Sequence, residues 1–456
     1  MSAGVQSQDK LGTMPVGKLL LVMSLPMMIS MLVQALYNAV DAMFVARLSE
    51  NALTAVSLAF PFQNTMIAVG VGSGVGVSAI VSRHLGRGDR AAAERTANVQ
   101  NFLSLCYALA FALLGGLLAR RFFAMQTGEA EIIRDGTTYL TICSLYCLGM
   151  FCGQNWEKLL VATGNSVQSM ICQATGAVVN IILDPILIFG LGPFPRLEVA
   201  GAAWATVTGQ VVAAVMAFCF CLKYNKATRF HFRQMLPSWP IVRDIFSIGI
   251  PSTLTVFLGS AITYGMNAIV LPFSSTAAAV FGIWLKLQYF AFMPVFGMNN
   301  GTIAIYSYNF GAGRLDRVKA TLRLSAGVCA AVNLLAGLVY ALFPAAMLGL
   351  FHASENMLGL GIPALRICAC SLVFGGLSVI LSSSFQSLGY SGLTLLVSVC
   401  RQVLFSLPLA WLLSRTGILE RVWLAIPISE AVTFCLALAL SRFVLKRAEE
   451  RITARQ

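Results

Sequence analysis

Apolar residues gather in long stretches that recur every thirty to forty positions, each near the ~20 residues a helix needs to cross ~30 Å of hydrocarbon. The pattern predicts helices near 18–46, 53–80, 97–119, 137–162, 168–191, 201–222, 245–271, 277–308, 325–347, 364–386, 393–414 and 422–441. The stretches do not alternate apolar with polar, which excludes the strands of a membrane barrel. The expected fold is therefore an all-α polytopic membrane protein of twelve transmembrane helices. In the first stretch Gln34, Tyr37, Asn38 and Asp41 follow steps of three and four, so they form one polar stripe along a helix. A carboxylate at membrane depth costs about 2.5–3.5 kcal/mol on insertion scales, and Asp41 is for that reason a candidate functional residue.

Composition agrees with the pattern. Hydrophobic residues make up 58% and charged residues 11%, where a soluble domain carries about 25% charged. Mean hydropathy is +0.79. A net charge of +13 invites nucleic acid as a partner, but the basic residues sit in short loops between apolar runs, where membrane topology explains them. Arg83, Arg87, Arg90 and Arg95 follow helix two; Lys223, Lys226, Arg229 and Arg233 follow helix six; Arg314, Arg317, Lys319 and Arg323 follow helix eight. Arg442, Lys446, Arg447, Arg451 and Arg455 complete the tail. All fall on one side if both termini are cytoplasmic, the orientation the positive-inside rule selects. Opposite loops hold fewer, such as Arg47, Arg196, Arg415 and Arg421, while Arg120 and Arg121 dissent and are offset by Glu129 and Glu131. The first run lacks a small-residue cleavage site and is expected to remain as helix one. Most of the twelve cysteines lie inside apolar runs and read as buried thiols, and His84, His231 and His352 fall in expected loops, so no metal centre or cofactor is expected.

A shift of 225 aligns Pro26 with Pro251, Gly72 with Gly297, Gly76 with Gly301, Ser82 with Ser307, Gly86 with Gly311, Gly88 with Gly313 and Gly164 with Gly389. The repeat predicts two six-helix lobes, 1–222 and 244–456, joined by a basic cytoplasmic linker at 223–243. An even number of helices per lobe leaves both facing the same way, so the pseudo-twofold axis runs along the membrane normal, with a cleft between the lobes.

The Gly-rich segments Gly70 to Gly88 and Gly297 to Gly313, together with Tyr37-Asn38-x-x-Asp41 and Asn180-x-x-x-Asp184-Pro185, resemble the multidrug and toxic compound extrusion family over nearly the whole chain. The resemblance implies an antiporter in the cell membrane that expels amphipathic, often cationic, drug-like compounds against inward flow of protons or sodium ions. It also implies a cation site of Asp41, Asn180, Asp184 and Thr206, with Gln34, Tyr37, Asn38 and Tyr139 nearby.

Depth can be read beside the resemblance, because a helix rises about 1.5 Å per residue. Asp41, Asp184 and Thr206 come out roughly 9, 12 and 8 Å from the same outer face by that rise. Pro185 denies its helix a hydrogen bond to the Ile181 carbonyl, which frees backbone oxygen near the carboxylate. Hard cations are held by such oxygens, and two carboxylates close together in low dielectric resist ionising together. The alternative is that these polar groups only pair helices. Position 41 maps onto Met266 and the neighbourhood of 184 onto Leu407-Pro408-Leu409, so the second lobe lacks the pair and coupling is expected in the first.

Lys286 and Glu430, at similar depths, are expected to form an ion pair; if Lys286 instead faces the cleft unpaired, it disfavours cationic substrates. Glu157, Lys158 and Arg401 are expected to snorkel or pair near the cytoplasmic ends. The run Gly70 to Gly76 lacks the ending of a phosphate loop and reads as helix packing. Phe62, Met66, Tyr264, Met266, Tyr289, Phe292 and Met293 are candidates to line the cleft. The overall expectation is a monomeric secondary exporter working by alternating access. A lipid-linked precursor flippase is the alternative. A passive channel is disfavoured by the missing charge rings, and an enzyme by the missing nucleophile–base cluster.

Overall fold

The computed structural model describes residues 10–454. The residues ahead of Lys10 and the tail residue Arg455 lie outside them. Helix makes up 87% of the protein, with no strand among the described residues. Twelve rods follow one another: α1 Val16–Ala46, α2 Glu50–Gly86, α3 Arg90–Ala124, α4 in two pieces Ala130–Leu145 and Leu148–Ala162, α5 Ser166–Phe189 and α6 Glu198–Tyr224. The second half holds α7 Trp239–Val270, α8 Ser275–Gly311, α9 Leu315–Leu342, α10 in two pieces Glu355–Ala369 and Ser371–Leu388, α11 Ser391–Ser414 and α12 Leu419–Thr453. Eleven are long and apolar enough to cross a membrane, counted among the described residues; α4 is interrupted at Tyr146 and Cys147, and each piece alone is short.

The helices overrun their apolar stretches. The predicted loop after helix two shrinks to Arg87–Asp89, and Arg83 and His84 sit on the last turn of α2 rather than in a loop. Hydropathy marks only the part inside lipid, whereas a helix continues into water as long as its residues favour it and a cap is available.

The repeat survives at atomic detail. α2 and α8 are both 37 residues long and occupy bounds related by the shift of 225. Each starts from an extended serine whose hydroxyl accepts the amide of the third residue on, Ser49 from Ala52 at 3.0 Å and Ser274 from Ala277 at 3.0 Å. Each is followed by a left-handed glycine, Gly88 at φ 78° and Gly313 at φ 72°, where a side chain would be strained.

The halves meet through α1 against α8 and α2 against α7 and α8, and the close approaches all lie toward the linker side. A Cβ added to Gly72 would fall 2.7 Å from the Gly249 carbonyl, at Gly76 2.6 Å from that of Ile245, and at Gly301 2.8 Å from that of Met23. These glycines are conditions of contact between backbones. Hydrogen bonds cross the same junction, among them Thr253 Oγ1 to the Ala68 carbonyl at 3.1 Å, Arg83 Nη2 to that of Ser387 at 2.8 Å, and Lys158 Nζ to Asn300 Oδ1 at 2.6 Å. The linker is clamped as well, since Asn98 of α3 donates to the Arg229 carbonyl at 2.8 Å and accepts the His231 amide at 3.0 Å.

On the opposite side the halves part. Along one face of α1, Met23, Met27 and Ser30 are buried, and one and two turns further Gln34 and Asn38 are exposed. Leu21, Leu25, Ile29, Leu32, Leu36 and Met43, also exposed, occupy the other face and suit lipid. Gln34 and Asn38 therefore look into a cleft between the halves rather than into the bilayer.

Candidate functional site

Small residues bring α5 and α6 together. A Cβ on Gly176 would lie 2.9 Å from the Gly209 carbonyl, and one on Gly209 2.7 Å from that of Gly176 and 3.2 Å from Asn180 Cβ. One turn above this contact, Asn180 faces Asp184 on its own helix and Thr206 on α6. With its amide turned to satisfy both ends, the nitrogen donates to Asp184 Oδ2 at 3.3 Å and the oxygen accepts the Thr206 amide at 3.2 Å. Asp184 is fully buried and Asn180 is buried.

Asp41 comes to this level from α1, which packs along α5. One of its carboxylate oxygens is buried with no hydrogen-bond partner, a position that calls for a proton or a cation. Tyr139 is buried on α4, and Gln63 of α2 donates to its hydroxyl at 3.4 Å. Four helices thus bring the two carboxylates, an amide and a hydroxyl to one level inside the first half, all acid–oxygen chemistry of the kind a proton or a hard cation uses. Gln63 gave no sign in the sequence, because it is a polar residue outside the recognised stripe.

Other expectations land elsewhere. Met266 does not face open space: it is 1% exposed, in the apolar core of the second half beside Val270 and Phe281. Lys286 does not pair with Glu430. Glu430 is 6% exposed and meets Arg401 at 3.6 Å, with Gly375 of α10 against its other side. Arg401 is the second residue of a π-helical segment, Cys400–Ser406, and of the two roles expected for it, snorkelling or pairing, it takes the pairing one. Lys286 is exposed, its ammonium over the Phe351 ring at 5.7 Å. Equal depth had suggested the pair; azimuth around the two helices forbids it. Glu157, buried, accepts from Gln173 Nε2 at 2.9 Å, and its neighbour Lys158 turns to Asn300 across the junction.

Two repeated six-helix halves, closed together on one side, parted on the other and carrying an acid pair inside one wall, define a multi-pass membrane transporter. The chain belongs to the MatE family, whose model matches it twice, over residues 26–186 and 251–412. Among curated relatives it is 26% identical over 421 residues to the FAD transporter of Shewanella oneidensis, covering 91% of this chain and 92% of that protein. It is also 26% identical over 438 residues to the multidrug export protein MepA of Staphylococcus haemolyticus, covering 94% and 93%. Among solved structures it superposes on an outward-facing multidrug resistance MATE transporter of the MOP superfamily with a TM-score of 0.91 at 25% identity, over 99% of each chain. A MOP superfamily transporter from Pyrococcus furiosus, described as having a binding pocket of reverse polarity, matches with a TM-score of 0.90 at 25% identity over 98% and 99%.

Proposed function

We propose that the protein is a secondary active exporter of amphipathic small molecules, driven by protons or sodium ions entering through Asp41 and Asp184. The observation that carries this reading is the buried Asp184–Asn180–Thr206 group with the unpartnered Asp41 oxygen beside it. A proton or a sodium ion arriving there neutralises the pair; its residues are oxygen donors, which suit either ion. Neutralisation changes the cost of keeping α1 packed against α5, and so favours one arrangement of the halves over another. The halves, residues 1–222 and 244–456 about the 223–243 linker, then rock around the cleft in alternating access, with both termini cytoplasmic, one chain per transporter, in the cell membrane. Relatives named for multidrug export and for FAD transport support a cargo range of aromatic, amphipathic molecules. The flippase reading is weaker, since twelve spans leave no extra helices for a lipid-linked cargo.

The test is export of a dye by purified protein in liposomes under separately imposed proton and sodium gradients, comparing wild type with Asp41→Asn and Asp184→Asn. Each variant is expected to lose at least tenfold in gradient-driven export while still binding dye. Full gradient-driven export by both variants would sink the mechanism, and gradient-independent flux by all three proteins would indicate a channel.

A further inference from the structure

The geometry points to a cleft that selects for an anionic group on its cargo, with Lys286 as the specificity-determining cation; this rests on the export reading above. On α8, Gly297 packs against the backbone of α1, where a Cβ would fall 2.6 Å from the Met28 amide nitrogen. Steps of four, three and four lead back along the same helical face from Gly297 to Met293, Phe290 and Lys286. The face that touches α1 on the linker side is therefore the face that carries Lys286 where the halves have parted. Tyr289, three residues on, is 61% exposed on the same side of α8. Lys286 is eleven residues above the contact on α8, and Asn38 is eleven above Met27 on α1, so the two stand at about the same height across the opening, ~16 Å above the junction at 1.5 Å per residue.

No carboxylate is within 4 Å of Lys286 among the described residues, and its ammonium lies over the Phe351 ring at 5.7 Å. Two of the acids are withdrawn from the cleft, Asp184 fully buried in the first half and Glu430 held by Arg401, while Asp41 is half-buried with one oxygen enclosed. An exposed ammonium at this depth facing lipid would be costly, and facing an aqueous cleft it is an open site for an anion. The exposed rings of Tyr289 and Phe290 lie on its own helix and the exposed amides of Gln34 and Asn38 on α1 opposite, a wall that suits a flat aromatic body with polar edges. The cargo this wall fits is an aromatic carboxylate or phosphate, not a lipophilic cation.

The experiment uses two dyes with the same xanthene ring and opposite charge, fluorescein and rhodamine 6G, at neutral pH. Equilibrium binding to the purified full chain in detergent is followed by fluorescence anisotropy for wild type, Lys286→Ala, Lys286→Arg and Lys286→Glu. Wild type is expected to bind fluorescein at least tenfold more tightly than rhodamine 6G. Lys286→Ala is expected to lose that margin with rhodamine binding unchanged within twofold, Lys286→Arg to keep it, and Lys286→Glu to reverse it. Tighter binding of the cation by wild type, or an equal loss for both dyes in Lys286→Ala, overturns the assignment. If fluorescein binds through Lys286 but neither dye is moved by either gradient, the charge assignment stands and the export reading falls. If rhodamine 6G is exported under a gradient with no role for Lys286, the reverse holds.

Discussion

The same place in the two halves is built on opposite electrostatic plans. In the first half, Asn180 joins Asp184 on α5 to Thr206 on α6, Asp41 on α1 keeps one oxygen buried without a partner, and no cationic side chain pairs with either acid among the described residues. In the second half, the residue that the repeat sets beside the counterpart of Thr206 is Glu430 on α12, and Arg401 on α11 neutralises it at 3.6 Å. One half carries its own cation. The other has none, and under the proposed function it would take its positive charge from solution as the driving ion. The backbones differ as well: α5 passes through the site as α-helix with Pro185 inside it, closely packed on Gly209, while α11 widens into a π-helical segment at Arg401.

The largest effect is expected where the second half's balance is broken. Arg401→Ala leaves Glu430 buried without a partner, a loss of about 3–5 kcal/mol for such a pair, seen as a large drop in thermal stability in detergent. The double change Arg401→Met with Glu430→Leu is expected to restore most of that stability and to keep gradient-driven export. Loss of coupling in the stable double variant would instead make the two halves functionally alike.

Next comes the packing that assembles the first half's site. Gly176→Val drives a side chain into the Gly209 carbonyl, with overpacking of about 1–3 kcal/mol, and separates Asn180 from Thr206. Reduced thermal stability together with weakened coupling is expected; the matching change in the second half is Arg401→Val, which should cost stability but leave which ion drives export unaltered.

The smallest effect is expected from Asn180→Ala, which removes hydrogen bonds worth about 0.5–1.5 kcal/mol each while leaving both carboxylates. Export should shift to a several-fold higher requirement for the driving ion, with little change in melting temperature. An unchanged ion requirement would assign Asn180 to helix packing alone.

Much of this was legible in the chain. Hydropathy and charge are local properties, so the spans and the repeat with its linker could be read from residue order, and the fixed rise of a helix put Asp41, Asp184 and Thr206 at one level. The close approach of Gly176 to Gly209 brings Asn180 between Asp184 and Thr206. For Lys286 and Glu430 the same arithmetic gave equal height and the wrong partner, and it left Met266 as a cleft residue when the fold buries it in a core. Rise along an axis is set by the backbone hydrogen bonds of each helix and needs no neighbour. The direction in which a side chain points, and what it meets there, depends on how helices from distant parts of the chain pack and where they part, and only the tertiary structure decides that.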